Sequence, residues 1–394
     1  MFFNISQTKL SNFPYHYRHN NLVVNLDAGW NQIADLYNNK IFYKGYVDDN
    51  NIHNCVLDIA QQEEPEFVGN FCVIKCFDQG IAVKTDKYRS FPLWFDSSHG
   101  LTNLIKCGKA IHTDSFAMIT DSGELVESKF DAIGTIYNDT LSLQTVIDRV
   151  DSILSQKIQN FVNNNRDRSL YVFLSGGVDT MLLYSYVKKF DIPHKLIRYL
   201  HTDLDYFFLK NHQTIHSFWG FRQAHHWEHP CVLLSGAPGD EFTLRSPTTA
   251  NMMLRYHGTG IDELIKDQKN SLHYSYFVKY LDLFNQQAQI KFDSFTQAVD
   301  NCLNMILNDY QHWHIGNTYY FTPYRDTEIF KTIARLPKED LINQIFASII
   351  QIKIITKNAP ELLAALSTQK NTANYMENLS TLYTELPQGS TRLY

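Results

Sequence analysis

Between positions 169 and 236 two kinds of segment alternate, and this alternation narrows the possible folds more than any other feature of the chain. "SLYVFL" is an almost unbroken apolar run, "TMLLYSYVKKF" follows with apolar residues at helical spacing, and "HKLIRYL" and "CVLLSG" repeat the first pattern. An apolar run of four to eight residues without polar alternation reads as a strand buried on both faces. Between the last two runs, "DLDYFFLKNHQTIHSFWG" has a helical pattern with a closing glycine. Strand and helix in turn make βαβ units, so the expectation is an α/β protein whose parallel sheet carries helices on its faces.

The flanking chain differs on the two sides. The first 130 or so residues carry short apolar runs separated by turn signals, among them "NLVVNLD", "NKIFYKGYVD" and "AMITDSGELVE". "FCVIKCF" and "GIAVKTD", joined across Asp78-Gln79-Gly80, have the pattern of a β-hairpin. The pattern then turns helical, with Leu143, Val146, Ile147, Val150, Ile153 and Leu154 on one face, which places a domain boundary near residue 140. Beyond residue 250 the chain reads as mostly helical to about 366, and the tail from Thr368 reads as polar loop. A chain of 394 residues is too long for one ordinary core, and two domains are expected.

Composition excludes several classes of function. With 44% apolar and 19% charged residues and no run of eighteen apolar residues, the chain reads as globular, with no membrane partner. The start, "MFFNISQTKLSNFPYHYRHN", lacks the pattern of a secretory signal, so a cytoplasmic location is expected. A net charge of −6 without a clustered basic run does not suit nucleic-acid binding. Cys55, Cys72, Cys76, Cys107, Cys231 and Cys302 are scattered without a CxxC pair, which suggests buried thiols rather than disulfides or a zinc ribbon. Cys72 and Cys76 share a strand face and read as core.

The first buried run leads into Ser175-Gly176-Gly177-Val178-Asp179-Thr180 and at once into a helix. Orphan N–H groups and the positive end of the helix dipole then point the same way, which favours an anion. The glycines permit close backbone approach, and the hydroxyls of Ser175 and Thr180 can add hydrogen bonds. Asp179 would repel a phosphate unless a cation lay between them, which suggests Mg²⁺. No GxxxxGK[ST] occurs, so a P-loop lacks its lysine. Taken alone, six residues leave a phosphate cradle and an ordinary βα turn equally open. A second strand end, "CVLLSGAPGDEFTLRSP", repeats Ser235-Gly236 and adds Asp240-Glu241. Ligands of open α/β sheets collect at the carboxyl ends of the strands, so the two ends together favour a nucleotide site with Asp179 and Asp240 on one Mg²⁺.

With these residues the chain resembles the asparagine synthetase family of ATP pyrophosphatases, whose SGGxDS and SGxGxDE loops are similar to Ser175–Thr180 and Ser235–Glu241. "GNFCVIKCFDQGIAVKTDKYRSFPLWF" is similar to the family's amidotransferase stretch through Gly69, Phe71, Asp86 and Pro92-Leu93. "TPYRDTEIFKTIARLP" and "IKIITKNAPELLAALSTQKN" are similar to its PFLD segment and its final lysine-bearing helix and loop. The resemblance implies an Ntn-type αββα sandwich over residues 1–140, a degenerate class II glutamine amidotransferase-like domain. It implies a PP-loop ATP pyrophosphatase domain with added helices over residues 141–394. It also implies that Ser175, Gly176, Gly177, Asp179, Thr180, Ser235 and Gly236 bind ATP, that Asp179 and Asp240 hold Mg²⁺, and that Lys353 and Lys370 stand near the pyrophosphate. A fixed cation there would stabilise charge spreading onto a departing pyrophosphate.

Four departures shape the expected activity. Family glutaminases use a cysteine at position 2, and here Phe2 stands there, so glutamine-derived ammonia is not expected. Similar losses occur in relatives that close β-lactams or lasso peptides, where the amine belongs to the substrate. Ala237 replaces the glutamate of the family's second loop, and Phe321 replaces an arginine before the PFLD proline. Ser175 and Ser235 are only 60 positions apart, with the shortening between "AHHWEHP" and "CVLLSG". Aspartate is therefore not the expected substrate, and Trp219, Trp227, Phe321 or Tyr324 would suit a larger, less polar one.

The expected function is an ATP-dependent ligase that adenylates a small-molecule or peptide carboxylate and joins it to an amine or ammonia; a homodimer is left open. The competing expectation is a non-catalytic ATP-binding scaffold or sensor. RNA modification by a related pyrophosphatase is disfavoured by the acidic charge and the missing CxxC. His201, His212, His216, His225, His226 and His229 crowd one region, but without HExxH or a carboxylate at ligand spacing they read as structural rather than as zinc ligands.

Overall fold

A computed structural model describes residues 2–62, 66–88, 93–103, 108–112, 115–174, 177–198, 230–309 and 318–366. The N-terminal part holds β1 (Phe3–Ser6), β2 (Tyr15–His19), β3 (Leu22–Leu26), β4 (Asn31–Ala34), β5 (Lys40–Val47) and α1 (Ile52–Gln61). After these come β6 (Gly69–Phe77), β7 (Gly80–Thr85), β8 (Trp94–Asp96), β9 (Gly100–Thr102), β10 (Lys109–Ala110), β11 (Ser115–Thr120) and β12 (Leu125–Lys129). They form two six-stranded sheets, ordered β10-β8-β9-β1-β3-β2 and β12-β11-β7-β6-β5-β4. The expected hairpin is present, with Phe77 opposite Gly80. Gly80 has φ +148°, and a Cβ there would lie 2.2 Å from the Ile119 carbonyl oxygen. The glycine therefore serves the close approach of β11 as well as the turn.

Helix α1 was not anticipated, although Ile52, Cys55, Val56, Ile59 and Ala60 follow helical spacing and are all buried. The Asn51 side chain caps it by accepting from the His53 N–H.

Helix α2 (Leu143–Asn164) begins at Ser142, whose hydroxyl accepts from the Thr145 N–H, and it buries Val146, Val150, Leu154 and Phe161. Then come β13 (Ser169–Leu174), α3 (Val178–Lys189), β14 (Lys195–Arg198), β15 (Cys231–Leu234) and, later, β16 (Thr318–Phe321). Their order is β14-β13-β15-β16 and every pairing is parallel, as the alternation of apolar runs predicted. The chain is α/β. Strand β16 was unexpected, because "TYYF" is too short to declare itself without its partner β15.

The C-terminal helices are α4 (Gly239–Phe242), α5 (Pro247–Tyr256), α6 (Ile261–Leu264), α7 (Tyr274–Val278), α8 (Leu281–Gln286) and α9 (Phe295–Asp309). They continue with α10 (Thr327–Ala334), α11 (Lys338–Ala347) and α12 (Ile349–Asn358). The run "DLINQIFASIIQIKII" breaks into α11 and α12 at Ser348, which is fully buried with φ 53°. None of the described helices is long and apolar enough to cross a membrane.

The parallel sheet is buried on both faces. Leu170, Val172, Val232, Leu234 and Phe321 join the helical core, whereas Tyr171, Cys231, Leu233 and Tyr320 join the apolar cluster of the N-terminal sheets. Polar contacts cross the same boundary. Lys157 Nζ lies 2.6 Å from Asp48 Oδ2 and 3.2 Å from Asp326 Oδ2, all three residues being buried. The Tyr46 hydroxyl donates to the Tyr320 carbonyl at 3.1 Å, and Arg325 donates to the Tyr88 carbonyl.

Candidate functional site

Strands β13 and β15 are neighbours, so the start of α3 and the loop after β15 lie side by side at the carboxyl edge of the sheet. Ser175 and Gly176 lie outside the described residues, as does Lys370. Gly177 is the N-cap of α3, and the Thr180 hydroxyl donates to its carbonyl at 2.9 Å. A Cβ on Gly236 would lie 2.7 Å from the Thr180 amide nitrogen. A Cβ on Gly239 would lie 2.6 Å from Asp179 Cγ. The glycines of the second loop thus admit the start of α3.

The Ser235 hydroxyl oxygen accepts from the Tyr320 hydroxyl at 2.7 Å and from the Ala237 N–H at 3.2 Å. The carbonyl of Asp179 accepts from the Tyr324 hydroxyl at 3.1 Å. Tyr324 and Phe321 are both fully buried, and Phe321 stacks on Phe161 with centroids 3.8 Å apart. Both aromatics belong to the core, not to an open substrate wall; Trp219 and Trp227 lie outside the described residues, as does the histidine group from His201 to His229.

The two carboxylates meet as expected, but on a cation supplied by the chain. Arg245 Nη2 donates to Asp179 Oδ2 and, at 2.7 Å, to Asp240 Oδ1. Its Nε donates to the Thr243 hydroxyl at 3.1 Å, and its Nη1 lies 3.3 Å from His273 Nε2. His273 Nε2 is also 2.6 Å from Ser348 Oγ. Asp179 Oδ1 accepts from Gln351 Nε2 at 3.4 Å.

Local chain geometry explains why Arg245 sits there. Helix α4 is a single turn, and Leu244 leaves it in the left-handed region with φ 57°. The N–H groups of Arg245 and Ser246 both donate to the Asp240 carbonyl, at 2.8 and 2.9 Å. The Arg245 side chain is thereby folded back beneath Asp240. No signal short of this turn marks Arg245 in the sequence, since a lone arginine five residues past an aspartate has no ligand spacing of its own.

Burial sets the electrostatics of this cluster. It raises the Asp179 pKa above the usual carboxylate range; Arg245 works against that shift and the Asp240 carboxylate adds to it. The Arg245 guanidinium stays charged, because the two carboxylates outweigh the cost of its burial. His273 is pushed down to about 3, first by burial and then by Arg245, so it stays neutral. With Nε2 accepting, its ring proton sits on Nδ1.

Lys353 is brought to a different place. It lies on α12 two residues beyond Gln351, about 200° around the helix axis, and is exposed. Gln351, not Lys353, faces Asp179. Lys353 makes no ion pair among the described residues. A small polar cleft of about 70 Å³ lies at the opposite, amino edge of the sheet, lined by Asn50, Asn51, Asn164, Asn165, Arg168 and Tyr319 among others.

Mg²⁺ requires near-octahedral oxygen ligands at about 2.1 Å, commonly including one or two carboxylates. The oxygens that Asp179 and Asp240 would turn toward a shared ion are turned toward one guanidinium nitrogen. As placed, the pair does not fit Mg²⁺, and no group of three or more His, Cys, Asp or Glu suited to a metal occurs among the described residues. The sequence matches no protein-family model and no curated protein.

Proposed function

We propose that the chain is an ATP-dependent, AMP-forming carbon–nitrogen ligase of the asparagine synthetase type, with an Ntn-like N-terminal half that no longer hydrolyses glutamine. The observation that carries this proposal is the meeting of the start of α3, which follows β13, with the Ser235-Gly236 end of β15 and one charged cluster at the carboxyl edge of a parallel sheet. Open α/β sheets collect their ligands at that edge. In the reaction a carboxylate oxygen attacks the α-phosphorus of ATP and the α–β bridging bond breaks, releasing pyrophosphate. An amine nitrogen then attacks the acyl carbon, loses a proton, and AMP leaves with the carboxylate oxygen. The α3 N-terminus would face the phosphates, and the substrate is a small-molecule or peptide carboxylate.

The N-terminal half supports the loss of glutaminase. Cys55 and Cys76 are buried, and burial pushes their thiols up to about 11 and about 12, well away from the thiolate that such chemistry uses. Cys72 is fully buried in the same apolar cluster as Cys76. Phe2 packs its ring against that cluster.

A second reading, a non-catalytic ATP-binding scaffold, is favoured by one observation: the hydroxyls of Ser235 and Thr180 and the carboxylate of Asp179 are already engaged within the protein. The two separate by pyrophosphate release from ATP in a survey of carboxylate and amine pairs, run beside folded Asp179→Asn. Release with a pair, lost in the variant, supports the ligase. ATP binding without release supports the scaffold.

A further inference from the structure

We infer that Arg245 is a built-in cation that takes the place of a divalent metal between Asp179 and Asp240, so that this carboxylate pair does not bind Mg²⁺. The inference deepens the proposed nucleotide site, and only its consequence for ATP rests on that reading.

The guanidinium is held as a fixed part rather than as a removable plug. Arg245 is only 2% exposed. Each of its three side-chain nitrogens has a partner: Nε on Thr243, Nη1 on His273, and Nη2 on both carboxylates. Its backbone is tied as well, through its N–H to the Asp240 carbonyl and through a left-handed Leu244 whose side chain is fully buried. A non-glycine residue in that region costs on the order of 1–3 kcal/mol and persists only where its surroundings impose it. Gln344 supports the cluster from behind, bonding to the Thr243 carbonyl at 2.9 Å and to the Gln351 side chain at 3.0 Å. Swinging the guanidinium out would take a charged donor from Asp179 in a buried setting, and the hydrogen bonds to Thr243 and His273 with it, which is expensive.

Charge leads to the same conclusion. A divalent ion added beside Arg245 would meet a fixed positive charge and carboxylate oxygens already directed at that charge. Arginine keeps its proton under all ordinary conditions, so the position cannot be vacated by deprotonation. Any magnesium that arrives with a nucleotide must then be held by the phosphates and by groups other than this pair.

The test is a titration of the full chain with Mn²⁺, free ion being read by electron paramagnetic resonance, in the absence of nucleotide. Wild type and Asp240→Asn should bind Mn²⁺ alike. Arg245→Gln removes the built-in cation from between the two carboxylates and should gain a Mn²⁺ site about 10- to 100-fold tighter than anything in the wild type, a gain abolished in Arg245→Gln/Asp240→Asn. Wild type binding one Mn²⁺ that Asp240→Asn weakens by that factor overturns the inference, as does a folded Arg245→Gln that gains no site. Should Arg245→Gln fail to fold, the comparison of wild type with Asp240→Asn decides alone. ATP binding is measured separately in chelator: its absence contradicts the nucleotide reading and leaves the metal result untouched.

Discussion

Gly239 stands with its Cα directly against the carboxyl group of Asp179, so close that a Cβ would lie 2.6 Å from Asp179 Cγ. The loop after β15 and the first turn of α3 are therefore interlocked. At Gly236 the obstructing atom is the backbone nitrogen of Thr180, which cannot rotate away. Gly236→Ala is expected to cost about 1–3 kcal/mol through overpacking. Urea unfolding measures this; a variant as stable as wild type would show that the loop after β15 is not in contact with the start of α3.

Lys157 is the hinge of charge between the two halves. It bonds Asp48 from the N-terminal sheets and Asp326 ahead of α10, and the two carboxylates raise its pKa despite its burial. Removing it leaves two buried acids facing each other. Lys157→Met should destabilise by about 3–5 kcal/mol, seen in chemical denaturation, whereas a surface lysine change should be nearly silent.

Acid should loosen the site through His273. Its folded pKa, about 3, lies below the ordinary 6.5, so the unfolded state binds the proton more readily. This share of stability is complete above pH 6.5 and falls as pH drops toward 3, by about 1.4 kcal/mol per unit. Arg245 and Asp240 act on the ring in opposite directions, and Ser348 bonds it. Asp179, being raised, has the opposite sign: its share is present below the ordinary carboxylate range and is lost as pH rises through its folded value. The difference between wild type and His273→Gln, measured across pH 3–7, isolates the histidine, and that difference should flatten above pH 6.5.

Tyr320→Phe removes the donor to the Ser235 hydroxyl. The expected loss is about 1 kcal/mol in thermal or urea unfolding. A larger loss would mean that the hydroxyl organises more than its own strand end.

The parallel sheet was legible because burial on both faces leaves an uninterrupted apolar run, and β13 and β15 carry that mark in their own residues. Strand β16 was not, because four residues become a strand only once β15 offers its edge. The break at Ser348 was hidden for a related reason: nothing in "FASIIQ" announces a left-handed residue, which buried partners such as His273 and Gln344 hold in place. At the site, the pairing of Asp179 with Asp240 followed from their similar places just beyond the carboxyl ends of two strands, β13 and β15. The cation between them did not, since Arg245 reaches it through a turn set by the left-handed Leu244. Lys353 was placed by resemblance alone, and the helix turns it away from the cluster.

Adenylation is tested most directly by the fate of the carboxylate oxygen. With an ¹⁸O-labelled carboxylate and an amine that together support pyrophosphate release, one labelled oxygen should appear in the AMP formed, in step with the amide. AMP formed without label, or no AMP from any pair despite measured ATP binding, would contradict a ligase at this edge of the sheet.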